Sequence, residues 1–137
     1  MSSLGKVHYP EAFNGEYIRV HWQFENDLKA ILEKSGQIAD FWSKYRQRLQ
    51  FLDERKKECI LKHDWFEKLR YEDNLYSIRF RIDKNIRILF AFVAYNNIEY
   101  AILLYPFEEK DKKKSKTSYE SAKPIAQERL KEVLNDD

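Results

Sequence analysis

The sequence predicts an α+β domain: an antiparallel sheet with the element order β-α-α-β-β-β-α and its helices packed on one face. Three observations predict it. Residues 76 to 107 contain three runs of alternating side chains, the period of a half-buried strand. Two stretches before them and one after repeat apolar residues every three or four positions, the rhythm of an amphipathic helix. Turn-forming residues separate the runs, at Asp83-Lys84-Asn85 and at Asn96-Asn97.

Residues 1–16 show no period and contain Pro10 and Gly15, so an N-terminal arm is expected ahead of a domain over 17–137. Tyr17 to Phe24 alternates, with Ile18, Val20 and either Trp22 or Phe24 on one side, and reads as the first strand. Asn26 or Asp27 can cap a helix that carries Leu28, Ile31 and Leu32 and ends near Ser35 and Gly36. In a second, longer helix Ile38, Phe41, Trp42, Tyr45, Leu49 and Leu52 share one face, while Lys44, Arg46, Gln47, Arg48, Asp53 and Glu54 face out. Lys62 to Asn74 reads as a connector anchored by Trp65, Phe66 and Leu69.

The three strands follow. In the first, Tyr76, Ile78, Phe80 and Ile82 alternate with Ser77, Arg79, Arg81 and Asp83. A three-residue loop at Asp83-Lys84-Asn85 sets Ile82 opposite Ile86, Arg81 opposite Arg87 and Arg79 opposite Leu89. One face then collects Arg79, Arg81 and Arg87; the other collects Ile78, Phe80, Ile88, Phe90 and Phe92, with Leu103 and Tyr105. Like charges facing each other on a sheet cost up to ~1 kcal/mol. A bound polyanion would remove that cost, and so would solvent or a surface carboxylate. Lys110, Lys112, Lys113, Lys114 and Lys116 come directly after the third strand. Thr117-Ser118-Tyr119-Glu120 has the pattern of a capping box and starts the last helix, which Pro124 either kinks or divides. Ile125, Ala126, Leu130, Val133 and Leu134 give that helix its apolar side.

Composition excludes several functions. The chain has 137 residues, enough for one domain with a sizeable core. Its 25 Lys+Arg against 23 Asp+Glu give a net charge of only +2, so any nucleic-acid surface is local. A lone Cys59 excludes an internal disulfide, and His8, His21 and His63 are too scattered for a metal-ligand motif. Three scattered glycines exclude a phosphate-binding glycine loop. The longest apolar run, Ile88 to Tyr95, is too short to span a bilayer, and no signal-type apolar segment opens the sequence. A soluble, cytoplasmic chain is the expectation.

Leu75-Tyr76-x-Ile78-Arg79, Ile86-Arg87-Ile88-Leu89-Phe90, an apolar strand ending in Phe107, a lysine-rich loop and Tyr119-x-x-Ala122 stand in that order. Together they resemble the RelE/ParE superfamily, the toxins of bacterial toxin-antitoxin pairs, and within it the phage-derived HigB-like branch. The resemblance covers Tyr17 to about Val133. It implies a RelE-like fold and the toxin of a type II system, an mRNA endoribonuclease that works in the ribosomal A site without a metal or other cofactor. The ribose 2′-hydroxyl attacks the neighbouring phosphate, giving a 2′,3′-cyclic phosphate and a free 5′-hydroxyl. The implied partners are a cognate antitoxin protein, mRNA and the 70S ribosome, with no membrane.

Such a reaction needs a base, cations for the charge growing on phosphorus, and an acid for the leaving oxygen. By position, the resemblance implies Arg79 in place of the strand lysine of RelE-type enzymes and Arg87 as the phosphate-clamping arginine. Lys110 lies near the basic residue after the last strand, and Tyr119 matches the tyrosine that opens the final helix. Arg81, Lys112, Lys113, Lys114 and Lys116 would add RNA contacts. Arg79 stays protonated and cannot be the base, which leaves Glu109, Tyr119 and His63 as candidates. The alternatives are a ParE-like inhibitor of the same fold that binds DNA gyrase, and a phage-derived protein that binds nucleic acid without cutting it.

Overall fold

Among the described residues one mixed sheet has six strands: β1 (Val7–His8), β2 (Ile18–His21), β3 (Phe66–Lys68), β4 (Tyr76–Arg81), β5 (Asn85–Tyr95) and β6 (Ile98–Glu109), in the order β1-β2-β6-β5-β4-β3. The described helices are α1 (Phe24–Ser35), α2 (Ile38–Arg55) and α3 (Ser115–Leu134), with a 3₁₀ helix over Lys56–Leu61. The structure, a computed structural model, describes residues 7–35, 38–81, 85–109 and 115–134, with side chains for all of these except 35, 38, 81 and 115–117. The chain is α+β and keeps the expected core order, but the sheet is not wholly antiparallel. β2 lies parallel to β6, with Ile18 opposite Ala101 and Val20 opposite Leu103. Hairpins force β4, β5 and β6 to alternate in direction; β2 is separated from β6 by two α-helices and three strands, so no tight turn sets its direction.

The helices also lie on both faces, not one. α1 and α2 pack Phe24, Leu28, Phe41 and Tyr45 against Val20, Ile78, Phe80 and Phe90. α3 packs Ala122, Ala126 and Val133 against Leu89, Ala91, Ile102 and Leu104. The physical reason is in β5, which is buried without a break from Ile86 to Val93. A strand apolar on both sides needs two covers.

Register departs from expectation in two places. Arg79 faces Arg87, Phe80 faces Ile86 and Arg81 faces Asn85, two positions away from the expected pairing. The expected Ile82 pair lies outside the described residues. A shift of two keeps every side chain on its own face, so Arg79 and Arg87 still share one. The second departure is a bulge: Leu89 faces Tyr105 while Phe90 faces Leu103, so Leu104 is an extra residue in β6. Beyond it the faces exchange, and Tyr105 packs under α3 instead of with Leu103. The other turn is as expected, with Asn96 and Asn97 at φ 53° and 66°.

Smaller corrections follow local packing. Phe24, not Trp22, joins Ile18 and Val20 in the core, and it starts α1 ahead of the expected cap. The connector contains β3, paired to β4 with Phe66 opposite Ile78. The arm contributes β1, though residues 1–6 lie outside the described residues. α3 starts at Ser115, and the Thr117 side chain of the expected capping box is not described. Ile125 and Leu134 stay 38% and 42% exposed, because the buried stripe runs through Ala122, Ala126 and Val133 instead. Pro124 sits inside α3, where it removes one helical N–H. Cys59 is buried, which pushes its thiol up to about 12.

α3 is tied to the start of α1 by a polar group. His21 is fully buried; its Nδ1 accepts the Gln23 N–H at 3.1 Å, so Nε2 carries the proton and donates to Glu132 Oε1 at 2.8 Å. Beside it Arg129 pairs with Asp27 at 2.6 Å and donates to the Leu104 carbonyl. Burial lowers the His21 pKa below its usual 6.5; Arg129 acts the same way, and Glu132 and Asp27 oppose it. A depressed pKa means that the unfolded chain binds this proton first as the medium acidifies. Stability from His21 is thus complete above about pH 6.5 and falls as the pH drops through the folded value. Thermal unfolding from about pH 8 to 5 should show this loss, and His21→Gln should flatten that part of the curve.

Candidate functional site

On the α3 side of the sheet, four charged residues on four neighbouring strands make a row. Glu67 on β3, Arg79 on β4, Arg87 on β5 and Glu109 on β6 lie in the order acid, base, base, acid. Arg79 Nη2 meets Glu67 Oε2 at 2.6 Å, and Arg87 Nη2 meets Glu109 Oε1 at 3.4 Å. Alternating strand geometry puts Arg79 and Arg87 directly opposite each other at the centre. Each glutamate offsets one arginine from outside, which leaves the positive centre of the row between them.

The two guanidinium groups are held differently. Arg79 is fixed through its backbone: its N–H donates to the Trp65 carbonyl at 2.8 Å, and its own carbonyl accepts from Arg48 Nε at 2.8 Å. Arg48, expected to face out, is buried with its guanidinium over the rings of Trp65 and Phe80. Its flat, weakly hydrated head tolerates that position. The Arg87 side chain is only 8% exposed, and its contacts to Glu109 at 3.4 Å and to the Ile86 carbonyl at 3.5 Å are long. Nε of Arg79 and Nε of Arg87 are buried and have no hydrogen-bond partner among the described residues. An arginine has five donors. On Arg87 Nε is unused and the two Nη bonds are long, which is the capacity an anion would take up.

α3 brings Tyr119 over this row. Its ring packs edge-on against Phe107 at 5.1 Å, and its hydroxyl donates to Glu67 Oε1 at 3.1 Å and lies 3.3 Å from Ser77 Oγ. Burial raises the phenol above its usual 10; the Glu67 charge adds to this, and Ser77 and Arg87 act against it. Tyr119 is therefore neutral at physiological pH, a donor and not a base. Beside the row a groove of about 340 Å³ is lined by Glu67, Leu69, Arg70, Tyr71, Tyr119 and Lys123, and also by Glu120.

The structure thus brings together Arg79, Arg87, Glu109 and Tyr119 from the residues expected in the site. Lys110, Lys112, Lys113 and Lys114 lie outside the described residues, as do the side chains of Arg81 and Lys116. His63 is exposed in the turn before β3, and its carbonyl accepts from Arg79 Nη1 at 3.5 Å. Sequence reasoning missed Glu67 and Ser77. Glu67 was hidden in a segment read as a connector; its signal would have been recognising Phe66-Glu67-Lys68 as an edge strand. Among the described residues no three His, Cys, Asp or Glu side chains converge as a metal centre. No described helix is long and apolar enough to cross a membrane. No family model matches the chain, and no curated protein or solved structure matches it either.

Proposed function

We propose that the chain is the toxin of a type II toxin-antitoxin pair and cuts mRNA on the ribosome through attack by the ribose 2′-hydroxyl. The observation that carries this reading is the Arg79–Arg87 pair facing across β4 and β5 under Tyr119, with Arg87 nearly buried and its donors poorly used. Two fixed guanidinium groups suit the charge that grows on phosphorus in the transition state. The RelE/ParE resemblance supplies the substrate class and the ribosome.

Roles follow from the order of the row. An in-line displacement keeps the attacking and leaving oxygens on opposite sides of phosphorus. Glu67 and Tyr119 touch at 3.1 Å and so serve one of these oxygens. Glu109, beyond the arginine pair, serves the other. In this assignment Glu109 takes the 2′-hydroxyl proton, Tyr119 gives a proton to the leaving 5′-oxygen, and Glu67 holds the phenol and Arg79. Solvent then returns both groups to their starting protonation.

A second reading, a ParE-like protein that docks on DNA gyrase, is favoured by one observation: both arginines already hold a carboxylate. The test is purified protein with translating ribosomes, with new RNA ends mapped. The expected fragments carry 5′-hydroxyls and 2′,3′-cyclic phosphates, and Glu109→Gln loses them. Ends bearing 5′-phosphates would overturn the mechanism. No new ends together with blocked gyrase supercoiling would select the second reading.

A further inference from the structure

We propose that the groove beside the arginine row binds one unpaired nucleobase of the RNA, next to the phosphate that is cut, with the Tyr71 ring as its stacking face. This rests on the endoribonuclease reading above and names how that site holds its substrate. Tyr71 is 97% exposed, the most exposed of the large hydrophobic side chains among the described residues. It stands in the β3–β4 hairpin, closed by the Leu69 N–H donating to the Leu75 carbonyl at 3.0 Å, and its φ is 64°. A bulky side chain rarely adopts that backbone conformation, and glycine or asparagine would make the turn with less strain. The ring adds almost nothing to the core. A ring kept in water at a strained position is explained by a ligand that covers it.

The rest of the groove fits a nucleotide. Its volume of about 340 Å³ lies at the low end for small-ligand clefts, about 300–1,000 Å³, room for one nucleoside and not for a duplex. Leu69, 7% exposed, and the half-buried Tyr119 give it an apolar side. Arg70 and Lys123 provide cations on its wall, and neither makes an ion pair among the described residues. Of the two carboxylates that line the groove, Glu67 is already neutralised by Arg79, and Glu120 is exposed, where solvent screens it. Glu67 and Tyr119 line the groove and also belong to the row, so a base seated here leads directly to a phosphate over Arg79 and Arg87. Cations flanking an open aromatic face are how proteins hold single-stranded RNA.

The test compares wild type, Tyr71→Phe and Tyr71→Ala for the rate of new 5′ ends on translating ribosomes, beside thermal unfolding of each. Tyr71→Ala should lose about tenfold or more in rate, and Tyr71→Phe should stay within about twofold of wild type, because stacking needs the ring and not its hydroxyl. Unfolding temperatures should coincide, since so exposed a ring carries little packing. A wild-type rate in Tyr71→Ala would overturn the proposal alone. No cleavage by wild type would remove the endoribonuclease reading and this proposal together. A Tyr71→Phe rate as low as that of Tyr71→Ala would also overturn it, pointing to the hydroxyl.

Discussion

On the proposed endoribonuclease reading, Arg87→Ala should lower RNA cleavage by about 10²–10³-fold, the usual cost of losing one preorganised donor to a developing anion. Induced expression of this variant should no longer arrest growth. Arg87 is the most buried of the charged groups in the row, so its charge acts where water screens it least. Its rigidity comes from β5, whose neighbours on both faces are packed. Removing the side chain also leaves Glu109, 15% exposed, without its cation, and this costs stability as well as activity. Arg87→Lys separates the two effects. A lysine restores a charge near Glu109 but lacks the planar fork that meets two phosphate oxygens. The expected result is an unfolding temperature near wild type with cleavage still well below it. Full activity in Arg87→Ala would remove the arginine pair from the mechanism.

Much of this arrangement was legible because strand period is a local property. The alternation of Tyr76 to Arg81 fixed which side chains share a face, and an error of two positions in register could not disturb it. The same logic failed at Leu104, where one extra residue moved Tyr105 and Phe107 to the α3 side. Nothing in Ala101-Ile102-Leu103-Leu104-Tyr105 marks a bulge, since all five residues suit a strand. The move has a consequence for the site: it places Phe107 against Tyr119 and Glu109 against Arg87. Other misses were non-local. The parallel pairing of β2 with β6 spans about eighty positions, and Glu67 gained its role only when a short edge strand brought it beside Arg79. Of the site, the cations were visible as a pattern in one strand and the next, and Glu109 as a carboxylate at the end of the third. Glu67 was not, because it comes from a short edge strand outside that pattern.

Phe80→Ala should destabilise the fold by about 3–5 kcal/mol, the range for deleting a buried phenylalanine from a well-packed core. For a domain of this size that is a fall of roughly 10–15 °C in unfolding temperature. Phe80 is fully buried between the sheet and α2, with its ring centroid 4.7 Å from Phe41 and 6.3 Å from Tyr45. The surrounding rings are large and interlocked, so the site can collapse only partly and a cavity remains. Arg48 adds a second cost. Its guanidinium rests over the Phe80 ring at 5.0 Å and donates to the Arg79 carbonyl, so losing the ring loosens the clamp on the strand that presents Arg79. Ile125→Ala, at a side chain left 38% exposed on α3, is the matched control and should change stability by no more than about 0.5 kcal/mol. Urea unfolding of both variants distinguishes a core that carries the site from one that merely lies behind it. At temperatures where Phe80→Ala is still folded, its cleavage rate should fall too, and an unchanged rate would show that Arg79 is held without the Arg48 clamp.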